Sequence, residues 1–192
     1  MKKILSTLAI GGFSVLGLAQ ENETYIKANL ATLPAGIVNV GIEHQLSEHF
    51  TGQADVLISP WKSLAGKPLQ IYMAHLESRY YFDKAFNKWY IGVNIGGAKY
   101  ELQKWNYVGK FAYQRGYNLM FGGVVGYQFN VKENWNVDVF LGGGSSQSFY
   151  NTFTKDQYGT ESRYFTDTAD KYNKSGELIP FRGGIMISYK IK

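Results

Sequence analysis

Glu77 and Arg79 stand two residues apart in a stretch that alternates apolar and polar side chains. On an extended strand that spacing puts both on one face, with His75 beside them. Opposite charges on one face can ion-pair, and a histidine next to a carboxylate can move a proton. Equivalent polar positions of other alternating stretches carry Lys27, Glu43, Asp55, Asp138, Arg182 and Lys190. Lys27, Arg79, Arg182 and Lys190 are four positives against the four negatives Glu43, Asp55, Glu77 and Asp138. A self-neutralising set suits a narrow enclosed space, where each charge must find a partner. The expectation is an interior ion-pair network that satisfies a polar core.

Other chemistries find less support. The histidines are His44, His49 and His75, and none has the convergent partners a metal site needs. No metal and no cofactor are expected. A lipid-modifying hydrolase or acyltransferase would need a nucleophile within reach of a base. Ser59 is one option beside His75, but Ser78 lies on the opposite face from it by parity. The chain therefore reads as a non-enzyme, with a lipid-modifying enzyme as the alternative. There is no cysteine, so thiolate chemistry and disulfides are excluded. Gly122-Gly123 and Gly142-Gly143-Gly144 precede neither a Lys-Ser/Thr pair nor a helical pattern, so they are not phosphate loops. They read as places where strands bend.

A second constellation is cationic and aromatic. Between Glu101 and Gly116 lie Lys104, Trp105, Tyr107, Lys110, Tyr113 and Arg115. Such a mixture suits sugars, anionic headgroups or a protein surface, and loops on a rigid scaffold commonly carry recognition. Nucleic acid is excluded as a partner. Lys plus Arg number 20 and Asp plus Glu 15, a net charge of only +5, and Lys2 and Lys3 belong to a segment expected to be removed.

That segment is the first nineteen residues. Lys2 and Lys3 precede a mostly apolar run, and Gly17-Leu18-Ala19 forms a small-x-small cleavage site. This is the pattern of a secretory signal peptide, leaving one domain over 20–192. That domain falls into eight alternating segments: 24–33, 37–46, 50–58, 69–82, 89–99, 117–129, 135–144 and 181–191. With 22 glycines, 16% aromatics and strict alternation, the fold class is all-β.

The composition of the two faces sets their direction. One carries Val, Ile, Leu and aromatics with almost no charge; the other carries Gly, Asn, Gln, Ser and the eight ions. Apolar outside and polar inside is the arrangement of a membrane barrel, where Arg or Lys on the lipid face costs roughly 2–4 kcal/mol at the midplane. Phe50, Tyr81, Phe82, Phe86, Trp89, Phe129, Trp135 and Tyr189 gather near one set of strand ends. Trp61, Tyr72, Tyr100, Trp105, Tyr117 and Phe181 gather near the other, as two aromatic girdles would. Tight connections (47–49, 83–88, 131–134) alternate with longer ones (59–68, 101–116, 145–180), Pro34-Ala35-Gly36 being a short exception. The expected architecture is a closed antiparallel up-and-down transmembrane β-barrel of eight strands in the outer membrane of a Gram-negative bacterium. Its termini are periplasmic, it is monomeric and contacts outer-membrane lipid, and its loops could meet an extracellular protein or glycan. Eight strands enclose only enough room for side chains, so no open pore is expected. A soluble periplasmic barrel binding an apolar ligand is the remaining alternative.

Three stretches carry a resemblance: Asn39-Val40-Gly41-Ile42-Glu43, Leu76-Glu77-Ser78-Arg79-Tyr80-Tyr81-Phe82 and Trp89-Tyr90-Ile91-Gly92-Val93. They resemble the domain-of-unknown-function family numbered 3575, small outer-membrane barrels, over most of the mature chain. In plan the chain is also similar to OmpX-type eight-stranded barrels. That resemblance implies a terminal aromatic read by the insertion machinery, whereas this chain ends Tyr189-Lys190-Ile191-Lys192 and offers Tyr189 as the nearest.

Overall fold

A computed structural model describes residues 22–103, 112–155, 159–163 and 173–192. The expected signal peptide and Lys104, Trp105, Tyr107 and Lys110 lie outside the described residues. Strands follow where side chains alternate: β1 Thr24–Asn29, β2 Val38–Gln45, β3 Phe50–Leu64, β4 Lys67–Tyr81, β5 Lys88–Leu102, β6 Ala112–Lys132, β7 Trp135–Lys155, β8 Glu161–Arg163 and β9 Asn173–Lys190. Each strand from β1 to β7 pairs antiparallel with the next, β7 pairs with β9, and β9 returns to β1. The ring has the eight strands the alternation requires. β8 adds only three residues to the far end of β7, pairing Phe153 with Arg163 and Lys155 with Glu161.

The two ends of the ring differ. Short turns at 46–49, 82–87 and 133–134, with both described chain ends, occupy one end. At the other end the strands run further than the alternation alone suggests. The expected connection 59–68 is mostly strand, closed by Ala65 and Gly66 at φ 50° and 80°. Two successive left-handed residues are what a tight hairpin turn takes. Pro60 hid this extension, because proline is excluded from strands that need both edges. Among the described residues β2 pairs β3 no further than Ile58, so Pro60 stands where β3 has a free edge. Likewise β7 continues through 145–155 and β9 begins at Asn173, so much of the expected loop 145–180 is paired strand. At the β1–β2 corner the opposite holds: β1 stops at Asn29 and Leu33–Ala35 form a single 3-10 turn.

Side chains are distributed inside-out. Leu76 and Val93 are each 59% exposed and Leu141 62%, all on the outer face. Glu43, Arg79 and Asp138 are fully buried in the lumen. Phe50, Phe82, Trp89, Phe129, Trp135 and Tyr189 are exposed at the short-turn end, and Trp61, Tyr72 and Tyr117 at the other. Four expected girdle residues are not there. Tyr81, Phe86 and Tyr100 are buried. Phe181 stacks on lumenal His75 with ring centroids 5.9 Å apart. The register between β7 and β9 slips between Gly142 and Gly143, pairing with Arg182 and Pro180, so Phe181 is the extra residue of a bulge. An extra residue locally breaks the two-residue period, which is why parity alone sent this ring outward.

Candidate functional site

Four strands, β1, β2, β4 and β7, deliver the charges of one layer. Lys27 on β1, Glu43 on β2 and Asp138 on β7 meet at Lys27 Nζ, which donates to Glu43 Oε2 at 2.6 Å and Asp138 Oδ2 at 2.7 Å. From β4, Arg79 Nη1 donates to the same two oxygens at 3.0 and 2.9 Å, and its Nε donates to Glu77 Oε1 at 2.5 Å. Its guanidinium carbon lies 4.4 Å from the centroid of the Tyr90 ring. The hydroxyls of Thr51 and Tyr90 donate to Glu43 Oε1 at 2.6 Å and to Asp138 Oδ1 at 2.8 Å. The Tyr81 hydroxyl lies 2.9 Å from Glu43 Oε1 and 2.8 Å from a Gln128 amide atom.

One step toward the longer-stranded end lies a second layer. Arg182 Nη2 donates to Asp55 Oδ1 at 2.7 Å, and its Nη1 stands 3.2 Å from Glu77 Oε2. His75 Nδ1 is 3.6 Å from Asp55 Oδ2, a charge contact rather than a hydrogen bond. Asn39 and Gln53 donate to Asp55 at 3.3 and 3.1 Å. Glycines make the room. A Cβ on Gly126 would come 2.4 Å from the Tyr90 ring, and one on Gly96 2.3 Å from the His75 ring. Each of these glycines leaves room for the large side chain of its paired residue on the neighbouring strand, Tyr90 for Gly126 and His75 for Gly96.

Of the nine residues expected in the lumenal network, eight converge: Lys27, Glu43, Asp55, His75, Glu77, Arg79, Asp138 and Arg182. Lys190 does not. It pairs with Glu23 Oε1 at 2.7 Å on the rim, with side chains 30% and 34% exposed. The lumen proper thus holds Lys27, Arg79 and Arg182 against four carboxylates, not a balanced four and four. Ser59, the expected partner option for His75, instead donates its hydroxyl to the Leu69 carbonyl at 2.5 Å. Tyr81 and Tyr90 were missed as network members. Tyr81 shares parity with Glu77 and Arg79, and Tyr90 with Asn94, so the signal was present but outweighed by their nearness to strand ends.

The lumen is filled at the short-turn end. The turn after Tyr81 folds Phe86 inward until it is 2% exposed, its ring 4.5 Å from Tyr25 and 6.1 Å from Tyr81. Phe86 and Lys88 adopt φ of 64° and 59°, each costing about 1–2 kcal/mol for a residue with a Cβ. Burying the Phe86 ring returns about 1.5–3 kcal/mol, which offsets most of that strain. Ala85 N–H to Glu48 O at 2.7 Å ties this turn to the neighbouring hairpin.

Tyr113 and Arg115, the described members of the cationic-aromatic set, are engaged within the chain. Arg115 Nε donates to Glu101 at 2.7 Å, its Nη1 to Glu161 at 3.0 Å, and its guanidinium lies 4.7 Å from the Phe153 centroid. Tyr113 donates its hydroxyl to Glu161, which fastens β8 to the extension of β6 and β7. The Tyr113 hydroxyl, then Arg115, holds the Glu161 carboxyl below the usual glutamate range. A lowered carboxyl favours the folded state above its ordinary range and loses that contribution as pH falls through the lowered value. Protection of the Glu161–Arg163 amides, as exchange relative to the intrinsic rate at each pH, is therefore expected to be greater near neutrality than in acid, and Glu161→Gln to remove that difference. Glu161 is largely exposed, so the effect is confined to this ladder.

No curated protein matches the chain. A family model described as a protein of unknown function matches residues 4–191, nearly the whole length. The chain belongs to the DUF3575 family.

Proposed function

We propose that this protein is a small integral outer-membrane β-barrel. Its lumen is closed, both ends of the mature chain are periplasmic, and its role is structural or surface-interacting through the longer-stranded end. The observation that carries this is the inverted distribution of side chains. Val, Ile, Leu and aromatics cover the outside, while Glu43, Arg79 and Asp138 are fully buried within. In water such an exterior would be an apolar surface far larger than soluble monomers expose. In a bilayer it is the required solvent contact, and the ring pairs each strand with two neighbours as far as the Val38–Ile58 and Leu30–Ile185 levels, which satisfies the backbone there. Exposed aromatics at both ends of that zone fit the two interfaces. Phe86 and the ion-pair layers fill the lumen, which supports a non-conducting barrel.

The test is cell fractionation combined with electrophoresis in detergent with and without boiling. The expected result is recovery in the outer-membrane fraction, with an unboiled band that migrates differently from the boiled one. Recovery as a soluble periplasmic monomer would overturn the proposal.

A further inference from the structure

The lumen changes character beyond the second ionic layer. Asp55 and His75 pair across β3 and β4; the next inward pair is Leu57 and Met73. With Phe140 these wall a cavity of about 380 Å³ whose polar lining includes Asp55, His75 and Arg182, with Asn29 and Asn39 beside them. That is the size and mixed lining of a small-molecule site, apolar with a few convergent polar groups. The polar side has unused capacity. His75 Nε2 and Arg182 Nε are buried without a hydrogen-bond partner, a costly state for groups out of water.

The same cavity reaches an interruption in the wall. The last backbone bond between β1 and β9 runs from Leu30 N–H to Ile185 O at 2.8 Å, and β2 leaves β3 at Ile58. Beyond these levels β3 continues to Leu64 and β9 extends to Asn173. Among the described residues no strand lies between them. Thr32 and Gly183 flank this interruption and line the cavity. Pro60 and Pro180 fall on the two strands that border it, where a missing N–H is tolerated.

We propose that this cavity binds one single-chain neutral amphiphile. Its hydrocarbon lies along Leu57, Met73 and Phe140, and an ester or hydroxyl head accepts hydrogen bonds from His75 Nε2 and Arg182 Nε. The charge count selects a neutral head, because Lys27, Arg79 and Arg182 already face four carboxylates and an anion would add to the excess. Entry through the wall, rather than from the top, suits a ligand carried in the membrane; this part rests on the proposed membrane location.

The experiment is native mass spectrometry of the full chain in phosphatidylcholine nanodiscs, titrated with monolauroylglycerol and, separately, dodecyl sulfate. The expected result is saturable retention of one monolauroylglycerol, with dodecyl sulfate bound more weakly. Met73→Trp, which fills the cavity, should weaken retention at least about tenfold, equivalent to 1.4 kcal/mol. Val125→Trp, on the outer face, should leave it unchanged. If Met73→Trp does not refold, Leu57→Phe provides the same comparison. No saturable binding (a solvent-filled cavity only), equal retention in the filled variant, or preference for dodecyl sulfate would overturn the proposal. Failure of the membrane reading is separately visible, as a chain that stays monomeric in plain buffer without lipid.

Discussion

Arg79→Ala is expected to lower the unfolding free energy of the barrel by about 3–5 kcal/mol, the range for removing one member of a buried ion pair. Arg79 is fully buried and donates to Glu43, Glu77 and Asp138 at once. Without it, Lys27 alone faces Glu43 and Asp138, and Glu77 keeps only the longer 3.2 Å contact with Arg182. The surviving carboxylates cannot turn to solvent, because their side chains have no exposure. The cost is therefore that of stranded charge more than of a lost bond. Arg79→Lys should recover part of the loss: an ammonium can reach one or two of the oxygens but cannot fork to three. Denaturant unfolding in micelles reads both variants. A loss under about 1 kcal/mol for Arg79→Ala would mean that water enters this layer, as at an exposed pair.

Val93→Arg is the second large effect, and it probes the opposite face. Val93 is 59% exposed and stands midway along β5, between Ile91 and Ile95 on the same outer row. If that row meets hydrocarbon, arginine there costs about 2–4 kcal/mol and hinders assembly into vesicles. Val93→Leu should be close to neutral, since only the charge changes the partition. The measure is the folded fraction after dilution from urea into phosphatidylcholine vesicles. Full folding of Val93→Arg, with unchanged stability, would place the row in water.

The ring and its inversion were legible because a period of two runs through most of each strand crossing the apolar zone. Glu43, Glu77 and Asp138 are separated by tens of residues, yet each lies on the face opposite Val, Ile or Leu, and the fold brings them together. What escaped prediction lies where the period fails or ends. The bulge at Phe181 adds one residue to β9 and turns that ring onto His75. Lys190 has lumenal parity but stands at the last position of its strand, where Glu23 on the rim is the nearer partner. Phe86 belongs to a turn, where no strand parity applies, and only its left-handed backbone aims the ring inward. Prolines misled in another way. Pro60 and Pro180 mark strands with a free edge, a property of the neighbouring chain that a linear reading does not contain.

The proposed membrane location requires that the apolar face of the wall meet lipid. A nitroxide scan of β5 from Ile91 to Gly97, with the protein in bilayers, tests this directly through collision with oxygen, which concentrates in hydrocarbon. High accessibility is expected at Ile91, Val93, Ile95 and Gly97 and low accessibility at Gly92, Asn94 and Gly96. The reverse alternation, or uniform access to a water-soluble quencher at the odd positions, would contradict that location.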